Sequence, residues 1–107
     1  MIKNIKSEVN IIRQWALRNK LIRKVYIFGS FAKEKADSNS DLDIAIMFNK
    51  QRGDTDKYTT WICEGQKWSE QLQLLIQLKV HLEWYEPVQT PIIHKGIQSG
   101  IYLIYER

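Results

Sequence analysis

The sequence predicts a single α/β (α+β) domain, a small mixed β-sheet backed by helices. Three observations support this. Segments with apolar residues at helical spacing alternate with short runs of β-branched and aromatic residues. Glycine and clustered Asp, Ser and Asn separate them. The chain's 107 residues leave room for one self-sufficient core and not for two, so residues 1–107 are expected to be one domain.

Taken in order, Ile5, Val9, Ile12 and Ala16 recur at spacings of four, three and four, widened by Ile11 and Trp15. That period predicts an amphipathic helix over residues 3–19. Residues 22–28 are β-branched and aromatic and stop at Gly29, a strand pattern. A short helix is expected to open on Ser30 and run to residue 35, followed by turn chemistry at residues 36–40. Residues 41–48 are apolar on both faces beyond two aspartates, which predicts a strand covered on both sides. After a polar loop at 49–55, a long helix is expected over 56–76. Its apolar stripe runs through Tyr58, Trp61, Ile62, Trp68, Leu72, Leu75 and Ile76, of which Trp61, Trp68, Leu72 and Leu75 should be core and face the sheet. Residues 79–85 alternate Val80, Leu82 and Trp84 against His81, Glu83 and Tyr85, a strand with two distinct faces ended by Pro87. A short helix at 91–98, holding an exposed His94, and a final strand at 101–105 complete the expectation.

Composition narrows the functional classes. Hydrophobic residues make up 44% and charged residues 26%, so a disordered chain is not expected. No apolar run is long enough to span a membrane, and the first twenty residues lack a signal peptide's uninterrupted apolar region. The single cysteine, Cys63, permits no internal disulfide, fits a reducing compartment and is expected to be packed rather than reactive. The cytosol is the expected location. The net charge of +4 suits a nucleic acid, a triphosphate or an acidic protein alike. Its densest cluster, Arg18, Lys20, Arg23 and Lys24, is either a solvated edge or a contact surface.

Chemistry concentrates at two places. Asp41 and Asp43 stand two apart in a strand, so their carboxylates share a face. Two neighbouring negative charges are unfavourable unless a positive group lies between them, and an oxygen-preferring divalent cation such as Mg²⁺ supplies that charge. Gly29-Ser30 ends a strand and opens a helix. A glycine there permits a tight turn and close approach of a ligand, and the backbone N–H groups and the Ser30 hydroxyl suit a phosphate. Either feature alone is common: a pair of solvated acids at a strand end, or a plain Gly-Ser turn with a serine cap.

Together they form a longer pattern: Gly29-Ser30-Phe31-Ala32-Lys33-Glu34-Lys35-Ala36-Asp37-Ser38-Asn39-Ser40-Asp41-Leu42-Asp43-Ile44. This resembles the signature of the nucleotidyltransferase superfamily: Gly-Ser, a small helix with Ala, a turn, then Ser-Asp-x-Asp and apolar residues. Gly29, Ser30, Ala32, Ala36, Ser40, Asp41 and Asp43 fall at signature positions, and Lys33 at one that is usually basic. Glu34 departs from the usual Gly without removing a ligand. The order of elements resembles the minimal (MNT-type) members over nearly the whole chain.

The resemblance implies a function. Asp41 and Asp43 would ligate one or two Mg²⁺ ions, and Gly29 and Ser30, with Lys33 and Ser40 nearby, would hold the phosphates of ATP. Relatives take a third carboxylate from the later strand. Glu83 is the candidate, as metal ligand or as base for the attacking hydroxyl, and His81 on the same face is the alternative occupant. Larger relatives carry a further domain for the acceptor; here the acceptor site is expected to come from another polypeptide. Minimal members pair with a helical HEPN-type partner in toxin–antitoxin systems, and some transfer AMP to one of its tyrosines. An antitoxin that adenylylates its partner is therefore the leading expectation. A catalytically inactive module that neutralises the partner by contact is the second, and an RNA or small-molecule nucleotidyltransferase the third. No basic patch interleaved with aromatics favours nucleic acid.

Overall fold

The computed structural model of the chain describes residues 5–33, 35–37, 39–86 and 100–107. Seven elements follow one another: α1 (Lys6–Arg18), β1 (Ile22–Phe28), α2 (Gly29–Ala32), β2 (Leu42–Phe48), α3 (Lys57–Leu75), β3 (Val80–Trp84) and β4 (Ile101–Glu106). The strands form one mixed sheet in the order β3-β2-β1-β4. β1 runs antiparallel to both β2 and β4, while β2 and β3, joined through α3, are parallel. The expected fold class is thus observed. The short helix expected at 91–98, and His94 with it, lies outside the described residues.

Burial explains the layering. Ile22, Val25 and Ile27 of β1, and Leu42, Ile44, Ile46 and Phe48 of β2, point to one side. There they meet Val9, Ile12, Trp15 and Ala16 of α1 and Trp68 and Leu72 of α3 in one core cluster. Trp15 Nε1 donates to Gln71 Oε1 at 2.9 Å and ties the two helices together. Phe48 packs against Trp61, Trp68 and Trp84 with ring centroids 5.2–6.2 Å apart.

The helices have identifiable ends. Asp56 caps α3, its carboxylate accepting from the Thr59 N–H and hydroxyl, both at 2.9 Å. The Thr59 bonds hold the Asp56 carboxyl below its ordinary value. At the far end Gln73 donates to the Ile76 and Leu78 carbonyls and accepts from the Val80 N–H at 2.8 Å. One side chain thereby fixes the exit from α3 and the start of β3. Arg107 closes α1 by donating to the Leu17 and Lys20 carbonyls.

Three expectations about packing need correction. The stripe of α3 is wider than its buried seam: Ile62 is 60% exposed, and Tyr58 and Leu75 are also exposed. The seam is centred on Thr60, Gly65, Trp68 and Leu72. Ile62 is rotated well away from it at 3.6 residues per turn. Cys63 lies further round still and is exposed rather than packed. β2 is also not equally covered on its two sides. Its second face carries Ala45 and Met47 in a smaller cluster with Tyr26, Phe28, Tyr85 and Ile101, all from the sheet or its margin.

The seam carries a direct test. Leu72 is fully buried and Leu74 is 88% exposed. Leu72→Ala is expected to lower stability by about 2–5 kcal/mol, and Leu74→Ala to change it by less than about 0.5 kcal/mol. Urea unfolding of the two variants measures both.

Candidate active site

The core itself forces the acidic residues to the other face. Leu42 and Ile44 are fully buried under the helices. The residue between them, Asp43, must therefore point away from the helices, because successive strand side chains alternate. In β3 the same rule buries Val80 and Leu82 and turns His81 and Glu83 outward. Pairing then sets the neighbours. Asp43 lies opposite Phe28 on the antiparallel side and opposite His81 on the parallel side, while Glu83 lies opposite Ala45, two pairs further along.

Gly29 follows Phe28 directly and has φ +72°, the left-handed region that favours glycine. A Cβ at this position would fall on Oδ2 of Asp43 and come within 3.0 Å of its carboxyl carbon. The backbone of Gly29 therefore borders the Asp43 carboxylate with no side chain between them. The element that starts here, α2, is only four residues long. Its dipole is correspondingly slight, and the ligand-facing groups available are the backbone N–H groups and the Ser30 hydroxyl rather than a helix end.

The connection from α2 to β2 is built by Asp37 and Ser40. Asp37 Oδ1 accepts from the Asn39 N–H at 2.8 Å, and Ser40 Oγ accepts from the Asp37 N–H at 2.9 Å and donates back to Asp37 Oδ1. The structure thus places Ser40 in a side-chain-mediated turn that delivers Asp41 and Asp43. Asp37 has no place in the signature, yet the Asp-Ser-Asn-Ser composition carried the signal for this turn. Lys33 is exposed, and its stem crosses the backbone of Gly100 just before β4.

Electrostatics singles out Asp43. Burial raises its carboxyl above the ordinary value, opposed by the hydrogen bond and charge of His81, with Asp41 and Glu83 adding to the rise. A carboxylate kept in such surroundings is held at an energetic cost that a nearby cation would relieve.

His81 is the junction of the site. Its Nδ1 lies 3.1 Å from Asp43 Oδ1 and its Nε2 lies 2.6 Å from Glu83 Oε1. The three side chains form a row, and among the described residues no three His, Cys, Asp or Glu side chains converge on one point. Of the predicted residues, then, the fold brings together Gly29, Asp43 and, through His81, Glu83. Asp41 precedes β2 and is close enough to Asp43 to act on its charge.

A left-handed glycine turn thus borders the Asp43 carboxylate, with Asp41 close by, on the face of the mixed sheet away from the helices. The family model described as "Polymerase beta, Nucleotidyltransferase" matches residues 10–107, and the chain belongs to that family. Among the solved structures that resemble it are two toxin–antitoxin structures. One is described as "Crystal structure of the toxin-antitoxin with AMP-PNP" and is 20% identical, with a TM-score of 0.59. The other is a mutant of the toxin–antitoxin MntA-HpeT carrying two aspartate-to-glutamate substitutions, 19% identical with a TM-score of 0.61. In both comparisons 94% of this chain and 73% of the other are covered. At that identity they establish the fold. No curated protein matches the chain. Among the described residues no helix is long and apolar enough to cross a membrane.

Proposed function

We propose that this chain transfers the nucleoside monophosphate of a triphosphate, AMP from ATP, to a hydroxyl of a protein partner, breaking the bond between the α- and β-phosphates and releasing pyrophosphate, in the role of an antitoxin. One observation carries the reading: the left-handed Gly29 backbone lies directly against the Asp43 carboxylate. That arrangement has a cost in glycine and in half-buried charge, and a polyphosphate with its divalent cation gives it a use.

The donor chemistry fits such a cation. Asp41 and Asp43 offer carboxylate oxygens, and the missing Cβ of Gly29 leaves Asp43 Oδ2 unobstructed on that side. Asp41 and Asp43 would hold the ion, Mg²⁺ or a similar one, which when bound would offset the negative charge that builds on the phosphate oxygens. The N–H groups of Gly29 and Ser30 and the Ser30 hydroxyl would orient the outer phosphates, and Lys33 would screen them. Glu83, working through His81, would receive the proton of the acceptor hydroxyl or steady the metal site.

The solved neighbours support the partner. Both are described as toxin–antitoxin structures, one of them with AMP-PNP. A lone exposed thiol, Cys63, agrees with the reducing cytosol as the compartment. A second reading, neutralisation by contact without transfer, is favoured by one fact: Asp43, His81 and Glu83 stand in a row rather than around a point.

Incubation of both proteins with ATP and a divalent cation, followed by intact mass of the partner, separates the two. Transfer adds one adenylyl group to the partner. Metal-dependent ATP binding with an unchanged partner mass would establish the contact-only role.

A further inference from the structure

We propose that the open edge of β3 takes an extended peptide as an added strand, with one large side chain of that peptide seated in the cavity between β3 and α3. Peptide capture here does not depend on nucleotidyl transfer.

Backbone direction defines the edge. At the two ends of the β2–β3 ladder, the Lys79 carbonyl accepts from the Leu42 N–H and the Tyr85 N–H donates to the Ile46 carbonyl, both at 2.8 Å. The odd-numbered residues therefore turn their backbone groups toward β2. Direction alternates along a strand, so the even-numbered ones turn theirs to the open side. Val80 bears this out, because its N–H donates to Gln73 Oε1 at 2.8 Å and not to β2. Leu82 and Trp84 follow in the same direction. Among the described residues their outward N–H and C=O groups meet no partner.

The two edges of the sheet are built differently. On β4 the pairing with β1 shifts at Ile104, and Arg13 Nε donates to the Ile104 carbonyl at 2.7 Å. β3 keeps an unbroken register with β2 over its five residues and contains neither proline nor lysine. Bulges, lysines and covering side chains are how proteins blunt an edge. β4 is blunted and β3 is left straight, the condition for strand addition.

A cavity lies beside that edge. Trp61, Ile62, Gly65, Gln66 and Ser69 of α3 and Leu82 of β3 line a space of about 290 Å³. Gly65 shapes it. Glycine inside a helix is destabilising relative to alanine, yet a Cβ here would come within 2.9 Å of the Trp61 ring. The ring lies against the helix because Gly65 has no side chain. Side chains of an added strand alternate, and those on the helix side would enter this cavity at the level of Leu82. Apolar walls with Gln66 and Ser69 among them suit a large side chain with a polar tip, such as tyrosine.

The position of α3 argues against a second copy of this chain as the occupant. That helix packs on β3 more than on any other strand. Neighbouring strands stand about 4.8 Å apart, whereas packed helices need about 8–10 Å. Edge-to-edge pairing of two β3 strands would bring the two α3 helices closer than that. A lone extended segment carries no helix.

The purified full chain is used to select binders from displayed random decapeptides, and the selected peptide is titrated into ¹⁵N-labelled chain. The Leu82 and Trp84 amides are expected to exchange with solvent about tenfold more slowly in the complex, with the β4 amides unchanged. Methylating alternate peptide nitrogens should abolish binding in one phase and spare it in the other, because every second amide faces β3. Gln66→Trp fills the cavity from an exposed position and should weaken binding about tenfold or more. Circular dichroism checks the fold of that variant. Failure to enrich any peptide, slowed exchange on β4 instead of β3, or indifference to both the nitrogen methylation and Gln66→Trp would overturn the proposal. A dimer in sedimentation, with Leu82 and Trp84 protected before any peptide is added, would overturn it in favour of a second copy.

Discussion

Replacing Asp41 and Asp43 together by Asn is expected to abolish metal-dependent ATP binding and nucleotidyl transfer while leaving the fold intact. The substitution is nearly isosteric, and the neighbours Leu42 and Ile44, which anchor β2 in the core, are untouched. The effect on activity is large because a bound cation contributes several kcal/mol to a reaction that builds charge on phosphate oxygens. A loss of roughly 4 kcal/mol is about a thousandfold in rate. The effect on stability has the opposite sign. Burial already disfavours the Asp43 carboxylate, and Asp41 and Glu83 add repulsion. Ionisation of Asp43 is thus less favourable in the folded chain than in the unfolded one, and the resulting destabilisation is present above its raised folded value. The neutral variant should therefore melt at the same temperature or slightly higher at neutral pH. Thermal unfolding beside an ATP-binding titration reads both, and a double variant that still transfers would refute the assigned ligands.

Gly29→Ala should fail in both respects. An alanine in the left-handed region costs about 1–2 kcal/mol, which for a domain of this size is a fall of several degrees in Tm. The added methyl would also lie on Oδ2 of Asp43, so the carboxylate must leave its place. ATP binding is expected to fall as it does in the double aspartate variant. Gly53 supplies the control. It too has positive φ, at +96°, yet a Cβ there would meet nothing within 4 Å. Gly53→Ala should cost stability alone and leave nucleotide binding unchanged. Equal binding by the Gly29 and Gly53 variants would separate Gly29 from the site.

What the sequence discloses, and what it hides, follows from the range of the interactions. Strand β2 and the outward direction of Asp43 were legible because alternation is local: buried Leu42 and Ile44 settle it. The outward placement of His81 and Glu83 was legible for the same reason. Which of the two stands beside Asp43 was not, since that depends on the register between β2 and β3, set across α3 by contacts such as that of Gln73 with Val80. The apolar stripe of α3 overstated burial because periodicity reports which residues could face a core and not how wide that core is. Tyr58 and Ile62 lie beyond its edge. Ser40 was legible as a signature residue, but its engagement with Asp37 emerges only from the geometry of the turn.

The central claim is that the Gly29 turn and the two aspartates exist to hold a polyphosphate with its cation. The most direct measurement is an anomalous difference map from crystals soaked with Mn²⁺ and a non-hydrolysable ATP analogue. A manganese peak touching Asp41 and Asp43 is expected, with the triphosphate along the N–H groups of Gly29 and Ser30. Nucleotide bound elsewhere, or aspartates turned apart with no manganese between them, would contradict it.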